Sequence, residues 1–175
     1  MEKLAVFLNK LGFLTETNEK NVFNLNEFTP RLFYQKLIYL ILRKSDELDY
    51  SFNWYIRGPY SPDLARDLFN INKLWSNNRL FLRKLIDKNA HNGLIDHVVN
   101  IIKDFESSFK EKFDREWNPE DLEILASLIF IENNTFENCR GSKANTIKEF
   151  KERKYELKDK RIEEYWDLLE STQFV

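Results

Sequence analysis

The residues of this chain best suited to recognition chemistry fall in one octapeptide, Trp54-Tyr55-Ile56-Arg57-Gly58-Pro59-Tyr60-Ser61. An alternating pattern puts Tyr55 and Arg57 on one face of a strand, with Tyr60 beside them across a Gly58-Pro59 turn. Two aromatic rings and a guanidinium on a stiff turn have the makeup of an interface anchor, because such side chains dominate binding hot spots. Gly58, Pro59 and Ser61 complete this candidate protein-binding set. The same residues also have a purely structural reading, in which the rings pack on a neighbouring helix and Ser61 caps the next one. Both readings stand at this level.

Reaction chemistry is less well provided for. There is no phosphate-cradling glycine loop, no G-x-S-x-G elbow and no H-E-x-x-H pair. His91 and His97, with Cys139 far along the chain, do not have metal-ligand spacing. Cys139 lies beside Arg140 in a polar loop, where the cation would lower the thiol pKa. Asp63 and Asp67, and the Glu120, Asp121 and Glu123 group, sit where first helical turns are expected, and the helix dipole accounts for them. The expectation is a protein that is not an enzyme, with no catalytic residue, no metal and no cofactor.

A second candidate surface is electrostatic. Residues 138–161 hold nine basic side chains against four acidic ones, although the whole chain carries a net charge of −2. Lys148, Lys151, Arg153, Lys154, Lys158, Lys160 and Arg161 form the alternative, nucleic-acid-binding set. Helices at about 119–133, 142–154 and 159–170 would present them as a helix-turn-helix-like unit. Interleaved Glu149, Glu152, Glu156 and Asp159, with a pI near 5.8, favour a solvated helix face over a groove reader.

Positioning these residues falls to helices. The composition, with 42% hydrophobic residues, only four Gly and four Pro, excludes disorder and a turn-rich β-sandwich. Leu4, Phe7, Leu8 and Leu11 have amphipathic spacing, and a polar loop is expected over 15–21. Val22, Phe23, Leu25 and Phe28 suit either an extended piece or a cover over the core. Thr29-Pro30 reads as a helix start, and the apolar run from Leu32 to Leu42 surrounds that helix on nearly all sides, which makes it central. Gln35 and Lys36 interrupt the run and must find partners, since burying either alone costs a few kcal/mol. Ser61-Pro62 and Asn118-Pro119 repeat the cap-plus-proline start, and Ser142 supplies a further cap.

The predicted fold is therefore mainly α: a multi-helix bundle around a central apolar helix (about 30–44) with one short β-strand or hairpin (about 50–57). One domain spans 1–175, with 118–170 as a C-terminal tri-helical subdomain. One cysteine and no signal-peptide pattern at the N-terminus point to a cytoplasmic protein that does not enter the membrane.

RLFYQKLIYLI followed by DYSFNWYIRGPYSPDLARDL resembles the YwgA-like prokaryotic proteins, with their Q-K-L-x-Y-L helix and G-P-Y-S turn, and more distantly the Panacea antitoxin-like domain. The matching residues are Gln35, Lys36, Leu37, Tyr39 and Leu40, then Gly58, Pro59, Tyr60, Ser61 and Leu64, while Arg57 stands where the group has a small or aromatic residue. The resemblance implies a helical core around a short β element and a role in toxin–antitoxin or defence systems, and brings no catalytic residue with it. The function expected is a protein-binding regulator, with a DNA-binding regulator as the alternative. The expected partner is a protein, or nucleic acid on the second reading, and a homodimer fits either.

Overall fold

The computed structural model describes residues 1–14, 25, 27–134 and 138–175. Among these are eight α-helices and one two-stranded antiparallel hairpin. In chain order they are α1 (Glu2–Lys10), α2 (Phe28–Leu42), β1 (Asn53–Tyr55), β2 (Gly58–Tyr60), α3 (Pro62–Asn77), α4 (Arg79–Lys88), α5 (Gly93–Phe113), α6 (Pro119–Asn134), α7 (Lys143–Arg153) and α8 (Ile162–Ser171), with a 3-10 turn at Tyr155–Leu157. The protein is mainly α with one small hairpin, as the hydrophobic periodicity predicts. No helix among the described residues is long and apolar enough to cross a membrane.

Two helices make the centre. α2 buries Tyr34 through Ile41 without a break, and α6 buries Asp121 through Ile129 together with Ile131. They pack on each other more extensively than any other pair. α1, α4 and α5 close one side, α7 and α8 the other, and β2 lies across α2 and α6. A helix buried on every face cannot be amphipathic, so the polar groups it does carry must be satisfied inside the protein.

Three of the four helix starts predicted from a capping residue are capped as expected, at Ser61, Asn118 and Ser142. Ser61 Oγ accepts from Leu64 N, Asn118 Oδ1 from the amides of Glu120 and Asp121, and Ser142 Oγ from Asn145 N. Thr29 caps nothing: α2 begins one residue earlier, at Phe28, with Glu27 at the N-cap and no side-chain cap bond. Pro30 still lies in the first turn, where its missing N–H is harmless. Of the expected extended piece, Leu25 is buried and Phe28 is helical, while Val22 and Phe23 lie outside the described residues, as does the loop over 15–21.

The hairpin is shorter than the alternation suggests and differently placed. Tyr55 pairs with Gly58, Trp54 with Pro59 and Asn53 with Tyr60, so the turn residues are Ile56 and Arg57 rather than Gly58 and Pro59. Gly58 takes φ +75°, whereas neither turn residue has a positive φ. A glycine that accepts the left-handed region right after the two-residue turn lets the one-to-one strand pairing begin there. Ile56 sits at the tip and is 87% exposed.

A second polar anchor ties α8 to the start of α6. Arg115 holds Asp121 with two bonds, at 2.6 and 2.7 Å, and Tyr165 Oη donates to the same carboxylate at 2.6 Å. Burial pushes the Asp121 carboxyl upward, but these donors and the Asn118 amide outweigh it and hold it below the usual range.

Candidate functional site

The polar residues of α2 are the brackets that hold the hairpin. Gln35 makes a reciprocal pair with one backbone unit of Ser61: Nε2 donates to Ser61 O and Ser61 N donates to Oε1, both at 2.9 Å. Lys36 Nζ donates to Pro59 O at 2.5 Å. Beneath the hairpin, α6 and α7 add a buried ion pair, Lys154 Nζ to Glu123 Oε1 at 2.6 Å, and Lys154 Nζ also donates to Ile56 O. Arg57 reaches down from the turn to Glu123 Oε2 at 3.5 Å. Four elements thus meet on one carboxylate and three backbone carbonyls.

Lys36, Glu123 and Lys154 are each at most 1% exposed. Among the described residues, three cations (Lys36, Arg57 and Lys154) face this one carboxylate, so the cluster is positive in excess. Desolvation dominates at Lys36 and lowers its ammonium to about 7, with Glu123 opposing the shift and Lys154 adding to it. The unfolded chain therefore binds a proton that the folded one does not, from about pH 7 upward to the ordinary lysine range. Stability rises with pH across that window. Denaturant titrations should show a gain of roughly 2 kcal/mol between about pH 7 and pH 9, and Lys36→Met should flatten it. An unchanged slope in that variant would refute the assignment.

Above this polar floor lies a cleft of about 330 Å³ between α2, α3 and the hairpin. Leu32, Leu68 and Phe69 give it apolar walls, and Arg31, Lys36 and Arg57 are the charged side chains in its lining. Its rim is apolar and exposed: besides Ile56, Phe28 and Phe69 face solvent. Tyr55, half exposed, makes an edge-to-face contact with Tyr60, ring centroids 5.2 Å apart. Trp54 turns the other way and meets Phe130 at 5.8 Å, with Arg153 and Lys154 over its face.

The structure thus brings Tyr55, Arg57 and Tyr60 together at one surface, while Pro59, Gly58 and Ser61 are buried beneath it as backbone supports. Lys36 and Gln35 were legible as residues needing partners. Glu123 and Lys154 were not legible as members of the site, since each reads as one charge among many on a polar helix face.

The alternative basic set is divided: Lys148, Lys151 and Lys158 share one concave surface, while most of its members have carboxylate partners. Lys154, expected on an exposed face, is fully buried against Glu123, because its cation compensates the carboxylate and caps the hairpin turn. Lys151 pairs with Glu163, Arg153 with Glu149, Lys160 with Glu120 and Arg161 with Glu164. Lys148 and Lys158 line an open concave surface of about 1020 Å³ between α7 and α8, where Lys158 sits 3.6 Å from the Tyr155 ring centre. Cys139 also departs from expectation. It is buried, and desolvation, with Glu149 adding to it and Arg153 opposing, raises its thiol pKa rather than lowering it. His91 and His97 are both exposed. Neither a protein-family model, nor a curated protein, nor a solved structure matches this chain.

Proposed function

We propose that this chain is a non-enzymatic, protein-binding regulator of the antitoxin-like or defence-associated kind, and that Tyr55, Arg57 and Tyr60 contact its partner. The observation that carries the reading is the combination of a clamped hairpin with an exposed aromatic and apolar rim. Tyr55, Ile56 and Phe69 stand in solvent around a cleft, on a backbone fixed from below by Gln35, Lys36 and Lys154. A rigid scaffold keeps the ordering cost of association small, and rings with an arginine supply hot-spot chemistry. The resemblance in the G-P-Y-S region supports the regulatory class.

Capture from the native host, with tagged wild type and the Arg57→Ala/Tyr60→Ala double variant, tests this. The expected result is a stoichiometric protein that survives nuclease treatment and is lost from the variant, while the variant's stability stays within about 1 kcal/mol of wild type. A partner retained by the variant would move the contact elsewhere. Material that disappears with nuclease would transfer the function to a DNA-binding regulator acting through Lys148 and Lys158.

A further inference from the structure

The cleft has a chemical selectivity that a general protein contact does not require. Its volume of about 330 Å³ lies at the small end of the range for small-molecule sites, about 300–1,000 Å³. Its walls are hydrocarbon and aromatic, from Leu32, Leu68, Phe69 and the Tyr60 ring. Among the described residues, every charged side chain in its lining is a cation: Arg31 on α2, Arg57 on the turn and Lys36 at the floor. Glu123, beneath the floor, is already shared by Lys154 and Arg57. Among the described residues, Lys36 has only a neutral carbonyl, Pro59 O, as its hydrogen-bond acceptor. Two buried lysines and the half-exposed Arg57 on one carboxylate are completed by an anion, and apolar walls beside them require that the anion carry a hydrocarbon body.

We infer that this cleft binds a small amphipathic monocarboxylate, its carboxylate between Lys36 and Arg57 and its hydrocarbon body against α2 and α3. The inference goes beyond the protein-binding reading and does not depend on it, because the ligand binds the protein alone. Arg57 offers a planar fork suited to one carboxylate, and Lys36 a compact second donor from beneath. Neutral amphiphiles would leave the cationic excess uncompensated, and cationic ones would add to it.

Isothermal titration of the purified full chain with octanoate, at slightly acid pH so that Lys36 is charged, tests the proposal. The expected result is saturable one-to-one binding, with octanol and acetate each at least about tenfold weaker and octylamine not binding. Arg57→Gln, an exposed position where folding is not at stake, should weaken octanoate about tenfold, and Lys36→Met should do so as well. Ala65→Phe, which fills the cleft from α3, should abolish binding. The proposal is overturned if octanoate shows no saturable binding or if octanol matches it. It is equally overturned if binding persists in Ala65→Phe or if neither cation variant weakens it. Because no host partner enters the assay, its failure leaves the capture experiment on Arg57 and Tyr60 intact, and the converse also holds.

Discussion

Replacing Glu123 with glutamine is expected to cost more stability than removing any cation around it, on the order of 3–5 kcal/mol. Among the described residues Glu123 is the one carboxylate facing Lys36, Arg57 and Lys154, and it is fully buried. The amide of Glu123→Gln keeps the shape and a hydrogen-bond acceptor but leaves Lys154, also fully buried, as an uncompensated ammonium. Lys154→Met is milder, because Glu123 then retains Arg57 directly and Lys36 through space. Two measurements separate a charge effect from a packing effect. The stability of Glu123→Gln should begin to climb at lower pH than that of wild type, since Lys36 has then lost the carboxylate that opposes its deprotonation. Adding Lys154→Met to Glu123→Gln should recover much of the loss, because deleting both members of a buried pair costs less than stranding one. Denaturant unfolding of the four proteins decides the matter. Additive losses in the double variant would show that Glu123 acts through packing and not through its charge.

This cluster also marks where sequence reading stops. The central helix was legible because an apolar run from Leu32 to Leu42 has nowhere to lie except the interior, and Gln35 and Lys36 stood out within it as groups that need partners. Their partners were not legible. Gln35 reaches Ser61 and Lys36 reaches Pro59, both backbone groups whose availability depends on how the hairpin docks and on no residue type. Glu123 falls in the first turns of α6, where dipole stabilisation is a sufficient reason for an acid, and Lys154 ends a run of cations on α7. Local chemistry explains both residues without the tertiary contact that gives them their role. The hairpin errors have a similar origin. Gly-Pro is a common turn dipeptide, and only the pairing of Tyr55 with Gly58 shows that the turn precedes it. The aromatic surface fared better, since Tyr55 and Tyr60 need only share a strand pair to meet.

The second large effect is expected at Gly58, where even alanine should cost about 3 kcal/mol. Two independent causes combine there. The residue holds φ +75° immediately after the Ile56-Arg57 turn, a conformation that costs about 1 kcal/mol for a residue with a side chain. In addition, a Cβ at Gly58 would overlap Ser127 Oγ on α6 and approach Ser127 Cβ to 3.6 Å and Lys36 Nζ to 3.7 Å. β2 lies directly on α6 at this point, so relief requires turning the buried Ser127 hydroxyl or lifting the hairpin away from the brackets of Lys36 and Gln35. Ser127 supplies the means to separate the two causes. Its hydroxyl is buried and has no hydrogen-bond partner among the described residues, so Ser127→Ala alone should be neutral or stabilising by up to about 1 kcal/mol. In the Gly58→Ala/Ser127→Ala double variant the overlap with Oγ is gone and only backbone strain remains, which predicts a favourable coupling of about 1–2 kcal/mol. Chemical denaturation of the cycle checks this, and strict additivity would mean that backbone conformation alone makes glycine necessary. Since Gly58 also lines the cleft, the same variants should lose partner capture in proportion to the lifting of the hairpin, and the double variant should regain it.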